Sequence, residues 1–421
     1  MDLREKKLLV LGGTSYMPYV REYADEEGFQ VFCAGGTPNS VMEQFSDRFF
    51  HVEATDKKAI LKLIQEEKVD GVVALGNENL IDCTIDITKT ADLPFYLERK
   101  HWNELQNKQA FKRHCREFGI HVVNELFISD QQDLDKARYP LVIKPADSSG
   151  SQGVSVCKNP EEALLAFEKA KKYSRTDSVL AEEFILAPEF ICSYIIHDGE
   201  PTVWMLGDRY MNRLQDGFGG ISNCSVFPSK HAALYMERIH PRMVELLKEY
   251  GPRNGAFFAQ GFVQNDDILF FDPALRFCGT LDIIPYTYIL KINPLRWMIN
   301  HSLTGIMGDE KEFKQMDWRL KGKCVVQLSL HSAIGKIEAV SGLDKILNLP
   351  GVIDVVQLLH EGDIVDAPGT LQQVLARIYI VKDCFSSALD LIHQIYDLVS
   401  IKGQDGKELL MPFQPYGFLD V

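Results

Sequence analysis

The sequence predicts a protein of mixed α/β and α+β class in three parts, on three observations. Residues 6 to about 100 alternate strand-like and helix-like segments. Residues 139 to about 200 are rich in β-forming runs and carry one lysine directly before a Gly/Ser loop. The last hundred or so residues break into short strands punctuated by Gly and Pro. The first pattern implies a parallel sheet with helices on both faces.

In chain order, Lys7–Leu11 is an apolar strand ending at Gly12-Gly13. Tyr19–Glu27 has helical spacing, Gln30–Ala34 is a strand, and Phe49–His51 is a short one. Asp56–Glu67 is helical with an Asp near its start, where a cap belongs. Gly71–Leu75 is the last strand of the first part. The Gly12-Gly13-Thr-Ser turn sits where a dinucleotide site would lie, but G-x-G-x-x-G is absent, so an NAD-type oxidoreductase is the weaker alternative. The helix Asn107–Phe118 carries Lys108 and Lys112 and stops at Gly119. The helix Pro160–Lys172 runs from Glu161 and Glu162 to Lys171 and Lys172, as its dipole favours. Residues 201–230 read as loop-rich, and His240–Tyr250 as helix. Gly255–Val263 and Ile268–Phe271 pair around Gln264-Asn-Asp-Asp267. Cys324–Leu330 and Leu371–Val381 read as strands, and Ser386–Val399 as an amphipathic helix.

Composition narrows the function classes. A net charge of −14 argues against nonspecific nucleic-acid binding, which needs a basic face. It leaves ATP binding open, since a local cluster of Lys and Arg suffices. The nine cysteines include no C-x-x-C pair, and Cys157, Cys192, Cys278 and Cys324 lie in apolar runs. They read as small buried hydrophobes in a reducing compartment. The polar start, Met1-Asp-Leu-Arg-Glu-Lys-Lys, is unlike a signal peptide, and no apolar run is long enough to span a bilayer. The expected location is the cytoplasm, with no membrane partner.

The most informative segment is Tyr139-Pro-Leu-Val-Ile-Lys-Pro-Ala-Asp-Ser-Ser-Gly-Ser-Gln-Gly-Val154. A strand delivers Lys144 to a loop of small residues. Gly150 and Gly153 let backbone N–H groups approach phosphates closely, and the lysine adds a point charge. The lysine precedes the loop, which excludes a Walker P-loop. Leu180-Ala-Glu-Glu-Phe-Ile185 follows, then Glu189, and later Phe271-Asp-Pro-Ala-Leu-Arg-Phe-Cys-Gly279.

The order and spacing of Lys108, Lys144, the Gly/Ser loop, Glu182–Ile185 and Asp272–Arg276 resemble the ATP-grasp superfamily over essentially the whole chain. The likeness is to the carboxylate-amine ligase branch with biotin carboxylase, glycinamide ribonucleotide synthetase and the carbamoyl-phosphate synthase large subunit. It implies a pre-ATP-grasp α/β domain over residues 1–105 and a two-lobed ATP-grasp domain over 106–315, with a lid at about 140–200. A small α+β accessory domain over 316–421 completes it. It also implies that Lys108 and Lys144 hold the phosphates of ATP, and that Ser148, Ser149, Gly150, Ser151 and Gln152 close over them. Glu182, Glu183, Phe184 and Ile185 would form the adenine-reading hinge, through the Glu182 side chain or nearby backbone and the Ile185 N–H. Glu189 would accept from the ribose.

The metal site implied by the resemblance is altered. Asp272 stands at a carboxylate position and Arg276 at the position of an arginine that steadies the transferring phosphoryl group, a catalytic role shared with Lys144. Ala274 replaces an expected Asn, and Gln260 an expected acid, so the ligands would be Asp272 and Gln260. Mg²⁺, with Mn²⁺ as a chemical substitute, would then bind mainly through one carboxylate and the triphosphate. The implied reaction joins a small-molecule carboxylate to an amine through an acylphosphate, releasing ADP and phosphate; a homodimer is compatible with it. A weakly catalytic or non-catalytic ATP-binding relative is the alternative that Gln260 and Ala274 raise. Arg209 and Arg213 fall where substrate contacts vary, and Gly76-Asn77-Glu78 ends a sheet strand where it could line an entrance.

Overall fold

The computed structural model describes residues 2–12, 14–37, 40–128, 131–147, 152–174, 176–212 and 221–414. The first part is a parallel sheet of β1 (Lys7–Leu11), β2 (Gln30–Ala34), β3 (Arg48–Phe50) and β4 (Gly71–Ala74), ordered β3-β2-β1-β4. The expected helices appear as Met17–Glu27 and Lys57–Glu67, the second capped by Asp56, whose carboxylate accepts from the Lys58 and Ala59 N–H groups. A third helix, Glu78–Ala91, starts directly beyond the C-terminal end of β4. Gly71 is where the helix Pro294–Thr304 crosses β4: a Cβ there would lie 2.1 Å from the Ser302 carbonyl oxygen. That close approach ties the first sheet to the central part.

The region expected to form a lid holds a four-stranded sheet of β5 (Glu125–Leu126), β6 (Leu141–Pro145), β7 (Ser155–Cys157) and β8 (Val179–Glu183), ordered β5-β8-β6-β7. The helix Pro160–Tyr173 packs on it through Ala163, Ala166 and Ala170, making a separate small core with Leu134, Ile143 and Cys157. The sheet runs from Glu125 to Glu183.

The central sheet has eight strands. Its members are β9 (Glu189–His197), β10 (Glu200–Met211), β11 (Ser222–Phe227), β12 (Gly255–Gln264), β13 (Asp267–Ala274) and β14 (Cys324–His331), joined by β16 (Val352–Gln357) and β18 (Val374–Lys382). The order is β13-β12-β9-β10-β11-β14-β18-β16. A small sheet of β15 (Gly335–Ser341), β17 (Ile364–Val365) and β19 (Ser400–Gly403) stands apart, ordered β17-β15-β19.

Three sequence expectations are corrected. Among the described residues of 201–230, most lie in β10 and β11 and not in loops. Val203–Asp208 is buried at every position, so the alternation that marks a half-buried strand is missing. The sheet also runs through the expected boundary at 315, because β11 pairs with β14 from Cys224–Leu328 to Phe227–Val325. Leu371–Gln373 is a short helical turn capped by Thr370, and strand begins only at Val374.

Among the described residues the cysteines are free; Cys157, Cys192 and Cys278 are buried and Cys324 is half-buried. No helix among them is long and apolar enough to cross a membrane.

Candidate nucleotide and ligase site

Several expected site residues gather where the four-stranded sheet of β5, β6, β7 and β8 meets one face of the central sheet. Cross-strand register decides which residues share that face. Gln260 on β12 lies directly opposite Asp272 on β13 and opposite Ile191 on β9. Two residues back on β9, Glu189 faces Arg209 on β10. Asp272, Gln260, Glu189 and Arg209 are therefore neighbours on one surface. Ala274, two residues beyond Asp272, points to the same side, so an Asn there would reach the site.

Two lysines enter from the helix Lys108–Glu117, capped by Asn107, whose side-chain oxygen accepts from Gln109 and Ala110. Spaced by four, Lys108 and Lys112 share a face, and both are buried. Lys108 Nζ lies 2.9 Å from Asp272 Oδ1. Burial lowers its pKa, but Asp272 more than offsets this, so Lys108 sits above the ordinary lysine value.

Lys112 Nζ donates to Glu182 Oε1 at 2.5 Å, and Lys144 Nζ lies 2.8 Å from Glu182 Oε2. Both carboxylate oxygens are thus engaged. The Glu182 side chain does not stand open to accept an adenine amino group as expected, because two ammonium groups occupy it. Burial holds Lys144 below the ordinary lysine value, despite the nearby Glu182. Its ammonium also lies 5.5 Å from the centre of the Phe271 ring.

Glu189 is buried and accepts from Arg209 Nη1 at 2.6 Å; desolvation raises its pKa while Arg209 opposes the shift. Arg276 donates through Nη2 and Nε to Glu78 Oε1 at 2.8 and 3.2 Å, and through Nη1 to the Phe277 carbonyl at 2.9 Å. It lies 5.2 Å from the Phe258 ring centre. Glu78 is in the first turn of its helix, beyond a parallel strand, where open α/β sheets place ligand contacts. Glu78, expected only as part of a segment that could line an entrance, is therefore the partner of the candidate catalytic arginine.

The other expected residues divide. Glu182 and Glu183 end β8, with Glu183 accepting from Asn124 Nδ2 at 3.2 Å. Phe184 and Ile185 lie in the connector to β9, between the two sheets. Gln152 is exposed in the turn before β7. Ser148, Ser149, Gly150, Ser151 and Arg213 lie outside the described residues. Lys112 was carried by the sequence only as a helix residue; its spacing of four from Lys108 was the signal.

Residues 120–216 match the family described as D-ala D-ala ligase C-terminus. Dapdiamide A synthase from Enterobacter agglomerans is 22% identical over 88% of this chain and 89% of its own length. The crystal structure of an L-amino acid ligase from Bacillus licheniformis superposes with a TM-score of 0.78 at 17% identity, covering 95% of this chain and 99% of the other. The chain is similar to ATP-grasp ligases in fold, and residues 120–216 carry the sequence match. The biotin carboxylase domain of a 2-oxoglutarate carboxylase from Hydrogenobacter thermophilus, solved with MgADP and bicarbonate, gives a TM-score of 0.73 at 15% identity, covering 96% and 91%. The chain spans only a small part of the carbamoyl phosphate synthase large chains it matches. The match to the one from Archaeoglobus fulgidus, 25% identical, covers 38% of this chain and 16% of that protein.

Proposed function

We propose that this protein is an ATP-dependent ligase that joins a small carboxylate to an amine through an acylphosphate, releasing ADP and phosphate. The observation that carries the reading is the meeting of Lys108, Lys112, Lys144, Asp272, Gln260 and Glu189 at the junction of lid and central sheet. Three lysines at one junction suit a polyanion, and the carboxylates that now neutralise them suit a site that exchanges partners when the nucleotide enters.

The donor set fits Mg²⁺ of the kind that is held jointly with phosphates. Asp272 offers a carboxylate and Gln260, directly opposite, a carbonyl oxygen. That falls short of an all-protein cage, which Mg²⁺ rarely uses. When bound, the ion would neutralise charge on the phosphates. The chain's own residues do the rest. Lys144 on the lid and Lys108 on the central part grip the phosphates from two sides. The Glu182–Ile185 backbone holds the base, and Glu189 the ribose. Arg276, oriented by Glu78, faces the carboxylate to be activated and stabilises its developing charge. Lid closure keeps water from the acylphosphate. Catalysis is then positioning and charge neutralisation without a protein nucleophile.

A phosphate-release screen of carboxylate and amine pairs with ATP and Mg²⁺ tests the reading. Release that needs both partners is expected. ATP binding without release under any pair would favour the second reading, a binder with a reduced metal site, which Gln260 and Ala274 support.

A further inference from the structure

The loop after β13 carries a carboxylate that neither the fold nor the proposed phosphoryl transfer uses. Asp282 stands at the N-cap of the helix Ile283–Leu290, a position where Asp normally caps, yet its side chain makes no cap. Leu281 before it adopts φ +58°, a left-handed conformation that costs a bulky residue energy and marks sites where geometry is enforced. The result turns the Asp282 carboxylate toward the central sheet. Its Oδ1 accepts from Thr280 Oγ1 at 2.7 Å and from Gln327 Nε2 at 2.9 Å. Its Oδ2 is buried without a hydrogen-bond partner among the described residues. Asp282 is 2% exposed.

It is not alone in this. Gln327 Oε1 and Arg209 Nε are also buried without hydrogen-bond partners among the described residues. Register puts the three in one place. Glu189 pairs with Arg209, Arg209 with Ser225, Ser225 with Gln327, and Gln327 with Tyr379, one row on the same sheet face as Asp272 and Gln260. Gln327 is two strands from Arg209, about 10 Å. The loop is pinned over that row: Arg377 Nη1 donates to the Gly279 carbonyl at 2.5 Å and Tyr379 Oη to the Thr280 carbonyl at 2.8 Å. Beside it is room, since a Cβ on Gly279 would meet nothing within 4 Å. Burial raises the Asp282 pKa, with Thr280, Gln327, Arg209 and Arg377 opposing.

We infer that Asp282, with Gln327, receives the ammonium group of a substrate, and that Arg209 faces an oxygen of the same molecule. An ammonium has three donors and satisfies both orphaned oxygens; a carboxylate or carbonyl oxygen satisfies the orphaned Arg209 Nε. The ligand class is an amino acid or an amino-acid-like amine. The inference rests on the ligase reading for its role in turnover. The shared chemistry leaves two sources: the molecule whose carboxylate is activated, which keeps its ammonium throughout, and the attacking amine, whose nitrogen first gives a proton to Asp282 before its lone pair displaces phosphate.

The test uses the full chain, ATP and Mg²⁺, with L-amino acids and the matching 2-hydroxy acids, which differ only in the ammonium. Amino acids should support ADP release and the hydroxy acids should not. Asp282→Asn should raise KM for the amino acid by about tenfold or more, the loss expected of a charge-assisted contact, with KM for ATP and thermal stability little changed. Gly279→Leu, filling the open space, should raise the same KM. Hydroxylamine replaces the attacking amine: an Asp282→Asn effect that persists in hydroxamate formation assigns the ammonium to the activated molecule, and one that vanishes assigns it to the attacking amine. Equal use of amino and hydroxy acids, or an unchanged KM in both variants, would overturn the inference. Absence of ATP use with every substrate would instead sink the ligase reading. Calorimetry of amino-acid binding to parent and Asp282→Asn then decides the inference alone, with equal affinities refuting it.

Discussion

Replacing Glu182 by Gln isolates the most charged buried feature of the molecule. The Glu182 side chain is 4% exposed and lies between Lys112, which is fully buried, and Lys144. At 2.5 and 2.8 Å, each attraction is about 6 kcal/mol at an effective dielectric of about 20. Desolvation of three charges and repulsion between the two lysines offset much of that. Removing the carboxylate leaves only the costs. The expected destabilisation is about 3–5 kcal/mol, the usual result of stripping one partner from a buried ionic group. Urea unfolding measures it, read as a fall in midpoint at constant m. The pH dependence gives a second check. Lys144 already has a folded pKa below its ordinary 10.5, so the unfolded chain binds more protons and stability rises with pH in that window. Without Glu182 the folded pKa falls further. The loss should therefore be greatest near neutral pH and shrink as pH climbs toward about 10, with a steeper slope than in the parent. A destabilisation under about 1 kcal/mol, or identical slopes, would refute the reasoning that the two lysines depend on this carboxylate.

Lys144→Ala should weaken ATP binding by about 1.5–3 kcal/mol while the protein stays folded, since Glu182 keeps Lys112; unchanged affinity by calorimetry would reject the assignment. Asp272→Asn should abolish magnesium-dependent turnover and leave adenine recognition largely intact, and equal rates would rule Asp272 out. Arg276→Lys keeps the charge but loses the forked contact with Glu78, so kcat should fall by about tenfold or more with little change in melting temperature. Gln260→Glu with Ala274→Asn should lower the Mg²⁺ concentration for half-maximal activity, tested singly and together because ligands of one ion couple.

The sequence by itself determined the alternating first part, the Lys-then-Gly/Ser signature and the order of the charged pieces. These are local: hydrophobic period, caps such as Asp56 and Asn107, and spacing along one helix or strand carry them. It also showed the departures at Gln260 and Ala274, which need only residue identity. Tertiary structure alone decided which charges meet. Glu78 and Arg276 are 198 residues apart in the chain, and Lys112 and Glu182 are 70 apart. No local period encodes such pairs, because they follow from strand register and from the docking of separate elements. The same holds for β10, where burial on both faces removed the alternation that marks a strand, and for the sheet that crosses residue 315. The unsatisfied oxygen of Asp282 is the extreme case. An Asp at a helix start reads locally as a cap, and only packing against β14 and the backbone at Leu281 turn it inward.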